Sequence, residues 1–338
     1  MKRLRVLALM HPQLVPPETL EGRSAQEINV WKTEYDVVHC LRTLGHEVRV
    51  LGVQYELLPI RDAVEQMKPH VVFNLLEEFH GEVLFDQNVV SFLELLKVPY
   101  TGCNPRGMII SRGKALSKKL LTYHRIKVPE FHVFPIGRKA RRAKGLEYPV
   151  IVKSLIEHSS VGISQASVVD SDEKLADRVR FVHERIRTDA IVEQFIEGRE
   201  IYVSVMGNQR LVAFPAWELV AENQPDNAPL IATARVKHDV EYQQRHGIDI
   251  RAAELSSEQA ALIRHVSKRI YRILELSGYA RIDFRLGGDR QFYFLEANPN
   301  PEIAAREEFA SAARHAGVDY PELLQRILRL GMRQSRVE

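Results

Sequence analysis

Over the first hundred residues short apolar runs alternate with amphipathic stretches, and this narrows the folds open to the chain more than any other feature. The run RLRVLALM, led by a basic residue, reads as a buried strand. A helix is expected from Ser24 to Leu44, closed by Gly45, because helix ends favour a left-handed residue. HEVRVLGV then reads as a strand, IRDAVEQM as a short helix, HVVFNLL as a strand, DQNVVSFLELLK as a helix and VPYTG as a strand. Such alternation implies a parallel sheet with crossovers, and ligands collect beyond the carboxyl ends of its strands. The first strand runs into HPQLVPPETLEG, so the dinucleotide fingerprint G-x-G-x-x-G is absent, as is a G-x-x-x-x-G-K-[ST] phosphate loop.

The pattern changes at Gly113, where an α+β region begins. GKALSKKLLTYH reads as a helix, VPEFHVF and YPVIVKSL as strands, SDEKLADRVRFVHERI as a helix opened by Ser171 or Asp172, and AIVEQFIEG as a strand. REIYVSVMGNQRLVAFPAWEL reads as strand, Gly-Asn turn, strand. The stretch from Val220 to Glu254 has little periodicity, and a loop of that length is commonly functional. Ser256 and Gln259 form a capping box for a helix with Leu262, Ile263, Val266, Ile270, Ile273 and Leu274 at helical spacing, ended by Gly278.

At 338 residues the chain is long enough for two or three domains, and 45% hydrophobic residues supply a core without disulfide or metal staples. A formal charge of +3 is small for this size and does not argue for a nucleic-acid or membrane partner. The densest basic run, GRKARRAKG from Gly137 to Gly145, lacks an aromatic residue for base stacking and reads as a solvated loop. Cys40 and Cys103 lie far apart without metal-ligand spacing and read as free thiols. The opening MKRLRVLALMHPQ is too short in its apolar part for a signal peptide, and no run is long enough to span a bilayer, so a cytoplasmic location is expected.

The segment GYARIDFRLGGDRQFYFLEANPNPEIA, from Gly278 to Ala304, reads as a hairpin with an unusual face. With GGDR as its loop, Leu286 pairs with Gln291, Arg281 opposes Glu296 and Asp283 opposes Phe294. Arg281, Asp283, Glu296 and Asn298 then share one face, while Ile282, Phe284, Leu286, Tyr293, Leu295 and Ala297 form a core surface. Two carboxylates and an amide make an all-oxygen set suited to Mg²⁺ completed by substrate phosphates. The plainer alternative is an Arg281–Glu296 ion pair with Asp283 in solvent.

Further residues bear on that choice. Lys153 ends the apolar run VIVK, where an ammonium is costly to bury unless an anion meets it. EHSSVGIS follows, small and hydroxyl-bearing, able to cover phosphates or to serve as an ordinary turn. IVEQFIEGRE places Glu193 at a strand end and Glu200 just beyond, either as acceptors for a nucleoside or as surface acids. Lys114 stands near a helix start and Lys237 in the long loop.

Taken in order, NLLEEFHGE, FLELLKVPYTG, GKALSKKLL, VIVKSLIEHSSVG, IVEQFIEGREI, ARIDFRL and FLEANPNP resemble the ATP-grasp superfamily, in its D-alanine–D-alanine ligase-like branch. The resemblance spans residues 72 to 301 and implies an α/β ATP-grasp architecture. It implies an N-terminal parallel βα domain over residues 1–103, a central subdomain over 104–203 and a C-terminal subdomain over 204–338. It also implies that Lys114 and Lys153 hold ATP phosphates under a loop of Ser159, Ser160, Val161 and Gly162. Glu193, Gln194, Phe195 and Ile196 would meet adenine and Glu200 the ribose. Lys237 would reach the terminal phosphate, with Arg281 and Ser160 also catalytic. Asp283, Glu296 and Asn298 would bind two Mg²⁺ ions, with Mn²⁺ as a substitute, and His80, Glu302 and Glu307 would face substrate.

The implied reaction joins a small-molecule carboxylate to an amine through an acyl-phosphate, releasing ADP and phosphate. Partners would be those small molecules and a second copy in a homodimer, with no nucleic acid or membrane. Three departures stand out. MHPQLVPPETLEG replaces the family's Gly- and Ser-rich, Glu-containing segment, and Glu302 follows Pro301 where the family has Gly. AAREEFASA replaces the Ser-Leu pair that holds the second substrate's carboxylate, so Glu302, Glu307 and Glu308 are expected to repel a carboxylate and suit a cationic acceptor. The alternatives are a true D-alanine–D-alanine ligase and a non-catalytic ATP-binding module.

Overall fold

The N-terminal alternation builds a parallel sheet. In the computed structural model, which describes residues 2–156, 162–223, 230–233, 235–236 and 239–334, it runs β1 (Arg5–Met10), α1 (Ala25–Thr43), β2 (Glu47–Gly52), α2 (Leu58–Met67), β3 (Val71–Asn74) and α3 (Asp86–Leu95). The sheet is three-stranded in the order β2-β1-β3. VPYTG does not become a fourth strand: Tyr100 makes a single parallel bridge to Val72, fixed by two backbone hydrogen bonds. Ser24 and Glu27 cap α1 reciprocally, and Gly45 beyond it takes φ +82°.

The α+β region begins eight residues earlier than expected, with α4 (Pro105–Arg112) preceding α5 (Lys114–Tyr123). Asn104 caps α4 through the Gly107 amide, with Pro105 in the first turn where its missing N–H costs nothing. There follow β4 (Phe131–Phe134), β5 (Val150–Ser154), β6 (Val168–Val169), α6 (Asp172–Phe181) and β7 (Ala190–Gln194), whose strands form a four-stranded sheet in the order β4-β7-β5-β6. Ser171 is the cap of α6. The basic run from Gly137 to Gly145 is irregular and largely exposed, as expected of a solvated loop.

A third sheet, of six strands, carries the rest: β8 (Gly198–Met206), β9 (Val212–Ala213), β10 (Trp217–Ala221), β11 (Ile248–Ala252), β12 (Tyr279–Gly287) and β13 (Phe292–Pro299). Its path is β11-β10-β8-β12-β13, with β9 paired to β8. The strand expected after the Gly-Asn turn is thus split into β9 and β10, which pair with β8 separately. The stretch from 220 to 254 is less irregular than expected, because it contains α7 (Val240–His246) and β11. α8 (Ser257–Ile273) has its Ser256–Gln259 capping box but ends at Leu274, with Glu275 left-handed. Gly278 has another role: at φ +67° it lies so close to Gly102 that a Cβ would stand 2.3 Å from the carbonyl oxygen.

The chain closes with α9 (Glu308–His315) and α10 (Tyr320–Gln334), which return to the first sheet. Val6, Ala8 and Met10 of β1 pack against α1, α9 and α10, while Leu7 and Leu9 face α2 and α3. Alternate residues of one strand therefore serve two cores. Residue 203, where a division between units was expected, lies inside β8. Among the described residues no helix is long and apolar enough to cross a membrane. Cys40 and Cys103 are free thiols.

The hairpin β12–β13 forms in a different register from the expected one. Arg281 pairs with Asn298 and Asp283 with Glu296, but past a shift at Asp283/Phe284 the pairs are Phe284–Phe294 and Leu286–Phe292. Leu295 is the extra residue, a β-bulge. It reverses the facing of β13 between its two ends, so Phe292 and Phe294 are buried instead of Tyr293 and Leu295. The polar face survives the correction, because opposed residues share a face in either register.

Candidate active site

A cleft with about 620 Å³ of empty volume opens between the four-stranded and six-stranded sheets. Lys153 enters it from β5, Glu193 and Gln194 from β7, Phe195 and Ile196 from the link to β8, Glu200 from β8, Asp283 and Arg285 from β12, and Glu296 from β13. Ile151, Ile163, Ile231 and Leu295 give it apolar walls. The parallel sheet's strand ends, where ligands were expected to gather, do not line it.

Glu193 is 1% exposed, and two ammonium groups meet its carboxylate: Lys153 Nζ at 3.0 Å and Lys118 Nζ at 3.2 Å. Burial alone would raise the Glu193 pKa, but Lys118 and Lys153 hold it below the usual range. Burial pushes the Lys118 ammonium down. Lys153 is held up against burial, first by Glu193 and then by Glu296. Lys118 also donates to the Leu295 carbonyl and lies 5.2 Å from the Phe294 ring centroid. One fully buried side chain of α5 thus joins β7 to the bulge that aims β13.

On the hairpin face Arg281 makes a two-pronged pair with Asp283, at 2.8 and 3.0 Å, and its third nitrogen pairs with Glu308 at the start of α9. The Asn298 amide donates to Asp283 Oδ2 at 3.0 Å. Lys114, buried in the first turn of α5, reaches within 4.0 Å of Glu296 Oε2. The Arg281–Glu296 pair of the plainer alternative is replaced by Arg281–Asp283. Glu200 accepts from Arg285 at 2.9 Å and from the Tyr202 hydroxyl at 3.0 Å. Such a face offers carboxylate oxygens backed by fixed cations, the arrangement that binds polyphosphate with a hard metal ion.

A second cleft, with about 1240 Å³ of empty volume, shares Ala232 with the first and meets it where its own Arg281 pairs with Asp283. Tyr202, Trp217, Leu219, Ile248 and Ile250 line it, and Lys32 of α1, Glu302, Arg306, Glu307 and Glu308 add charge. Glu302 and Glu307 are not open acids: Lys32 Nζ lies 2.9 Å from one and 2.6 Å from the other. One cation of the chain thus serves two acids, so their charge is partly balanced from within.

Glu34, one residue past Thr33 on α1, has its carboxyl pushed up to about 7, first by burial and then by Glu77 and Glu302. A carboxyl raised in the folded state binds protons that the unfolded chain loses, so its contribution falls as pH rises from about 4.5 through 7. Glu34→Gln is expected to remove that loss, gaining about 2–3 kcal/mol relative to the wild type between pH 5 and pH 8. Thermal melts of both proteins at the two pH values measure it, and parallel pH dependences would disprove it.

Of the residues singled out in the sequence, Lys153, Glu193, Gln194, Phe195, Ile196, Glu200, Asp283 and Glu296 line the first cleft, while Arg281, Glu302 and Glu307 line the second. Lys114 and Asn298 touch the set through Glu296 and Asp283. Gly162 takes φ +70° and accepts from Arg178. His80 lines neither cleft; it is exposed and packs edge-on to Tyr55. Ser159, Ser160, Val161 and Lys237 lie outside the described residues. Sequence reasoning missed Lys118, Arg285 and Lys32. Lys118 follows Lys114 by one helical turn, and Arg285 continues the alternation of Arg281 and Asp283, so both carried a signal. Lys32 carried none, since only the tertiary fold brings α1 to Glu302.

Residues 120–329 match the family model described as D-ala D-ala ligase C-terminus. An uncharacterized protein of Sinorhizobium fredii, y4sG, is 31% identical over 303 residues, covering 88% of this chain and 87% of its own. A D-alanine–D-alanine ligase of Bordetella petrii is 31% identical over 251 residues, covering 72% and 71%. A crystal structure of the D-alanine–D-alanine ligase of Bacillus anthracis complexed with ATP shares the fold at TM-score 0.74 and 22% identity, over 98% of this chain and 99% of that one. The fold of three sheets agrees with these likenesses, and the chain belongs to the D-alanine–D-alanine ligase family of the ATP-grasp superfamily.

Proposed function

We propose that the chain is an ATP-dependent carboxylate–amine ligase that forms an amide through an acyl-phosphate. The observation that carries this reading is the first cleft, where Lys153, Glu193, Glu200, Asp283 and Glu296 converge from five strands. In this reading Lys114 and Lys153 hold the phosphates, the Glu193–Ile196 stretch meets adenine, and Glu200 meets the ribose. Gly162 and the neighbouring residues 159–161 cover the phosphates, Lys237 approaches the terminal one, and Ser160 assists.

Asp283, Glu296 and Asn298 would hold Mg²⁺. Their donor set fits: Asp283 and Glu296 stand opposite each other on β12 and β13 with the Asn298 amide beside them, and Mg²⁺ commonly takes one or two carboxylates with substrate phosphates. The metal would neutralise charge developing on the transferred phosphoryl group. Arg281, fixed by Asp283, would steady the same charge. The substrate carboxylate attacks the γ-phosphorus and ADP leaves. An amine then attacks the acyl carbon, the C–N bond forming as the acyl C–O bond breaks, and phosphate departs with that electron pair and the amine's proton. We also place the unit boundary at residues 195–197, between β7 and β8, since a division at 203 would cut β8.

Incubation with ATP, Mg²⁺, hydroxylamine and pooled amino and other carboxylic acids is expected to release ADP and yield a hydroxamate whose mass identifies the donor. ADP at the water background in every pool would refute the reading. D-alanine as both substrates is a second reading, favoured by the names of curated relatives; D-alanine-dependent ADP release would support it.

A further inference from the structure

Arg285 and Glu200 face each other across the β8–β12 ladder, and opposed residues of an antiparallel pair point to the same side. Both line the first cleft, yet both are almost wholly buried, Arg285 at 5% and Glu200 at 6% exposed. A carboxylate that deep is costly unless a cation meets it, and Arg285 donates to Glu200 Oε2 at 2.9 Å. The other terminal nitrogen of Arg285 donates to two carbonyls, those of Gly198 and Leu230, each at 3.1 Å. Its guanidinium carbon lies 5.8 Å from the centroid of the Phe195 ring, which also lines the cleft. One side chain thus ties Glu200 to the start of β8 and to Leu230, whose neighbours Ile231 and Ala232 wall the same cleft.

We propose that Arg285 is a positioning residue for the nucleotide: together with Tyr202 it fixes the Glu200 carboxylate so that the first cleft selects a ribose over a deoxyribose. The inference rests on the ligase reading, in which Glu200 meets the ribose. A glutamate carboxylate turns easily about its last bond, because that torsion has broad minima. Here it is held from both sides: Oε1 accepts from the Tyr202 hydroxyl at 3.0 Å and Oε2 from Arg285. Each carboxylate oxygen offers about two acceptor positions. With one hydrogen bond to each oxygen from the described residues, the group can receive two further donors side by side. The vicinal 2′- and 3′-hydroxyls of a ribose are such a pair, and hydrogen bonds to a charged acceptor are the strong ones. A deoxyribose brings one donor fewer to a carboxylate whose direction is already set. Arginine suits the task because its nitrogens are held in one rigid plane and meet three acceptors in different directions. A lysine would keep the charge without fixing all three. Arg285 continues the alternation of Arg281 and Asp283, so the strand that supplies a proposed metal acid also sets the sugar acceptor.

The test measures binding, which needs neither the carboxylate nor the amine substrate. Calorimetric titration of the full chain in Mg²⁺ with ATP, 2′-deoxy-ATP and 3′-deoxy-ATP is expected to give each deoxynucleotide a Kd on the order of 30-fold above that of ATP. Arg285→Lys is expected to narrow that gap to about threefold, chiefly by weakening ATP. A role in packing alone would lower the melting temperature and weaken all three nucleotides alike, so a folded Arg285→Lys that keeps the wild-type gap overturns the proposal. Tyr202→Phe, which frees the same carboxylate from its other side and keeps the ring, is expected to narrow the gap about threefold. A wild-type gap in that variant overturns the fixed-carboxylate device, whether or not Arg285→Lys folds. Wild-type protein that binds ATP and both deoxy forms equally overturns the proposal as well, and leaves the ligase reading standing. Absence of ATP binding sinks the ligase reading itself, and this proposal with it.

Discussion

Glu296→Gln is expected to leave the fold intact and lower ADP formation on the order of 10³-fold. The side chain sits on β13 just past the bulge, opposite Asp283, partly exposed to the first cleft. The amide keeps its shape and packing, so the hairpin has no reason to rearrange. What changes is charge: the cleft loses one of the two carboxylates proposed to hold Mg²⁺, and Lys114 and Lys153 lose an acid that faces them. Raised Mg²⁺ should recover part of the rate, because the lost oxygen weakens binding more than it alters chemistry. ADP release measured across Mg²⁺ concentrations, with a thermal melt as the folding control, decides the matter. Wild-type turnover in a folded variant would remove Glu296 from the mechanism.

Lys118→Met is the second large effect, and it acts on both stability and nucleotide use. Lys118 is 0% exposed, pairs with Glu193, and donates to the Leu295 carbonyl. Methionine fills a similar volume but leaves that carbonyl without its donor and Glu193 with Lys153 alone. Removing one partner of a buried pair costs about 3–5 kcal/mol. The lower end applies here because Lys153 remains, which corresponds to roughly 5–10 °C in melting temperature. The bulge would also lose its anchor, so Glu296 and the Glu193 end of the cleft should be less well placed. The KM for ATP is expected to rise about tenfold. Lys119→Met, on the exposed neighbour, serves as the control and should change neither quantity. If Lys118→Met melts and saturates with ATP like the wild type, Lys118 has no positioning role.

The hairpin shows how far sequence reasoning reaches. Its polar face was legible because strand periodicity puts Arg281, Asp283, Glu296 and Asn298 on one side in any register of the right parity. The pairing was not, because the bulge at Leu295 depends on a carbonyl held by Lys118, 177 residues earlier. Capping boxes at Ser24 and Ser256 were readable for the opposite reason: all their groups lie within four residues. VPYTG failed as a strand and Tyr293 as a core residue, since local propensity does not know which neighbour is present.

The acids after Asn298 follow the same division. The sequence alone determined that Glu302, Glu307 and Glu308 crowd the stretch just after Asn298. It also determined the ATP-grasp motifs, because each rests on residues close together in the chain. Only the tertiary structure decided which of those acids matter beside Arg281. Lys32 reaches Glu302 and Glu307 from α1, across about 270 residues of chain, and neutralises much of what looked like an open cation site. Glu308 is turned instead onto Arg281. A charge written in the sequence has a sign but no partner, and its effect on a substrate is set by the partner that folding brings to it.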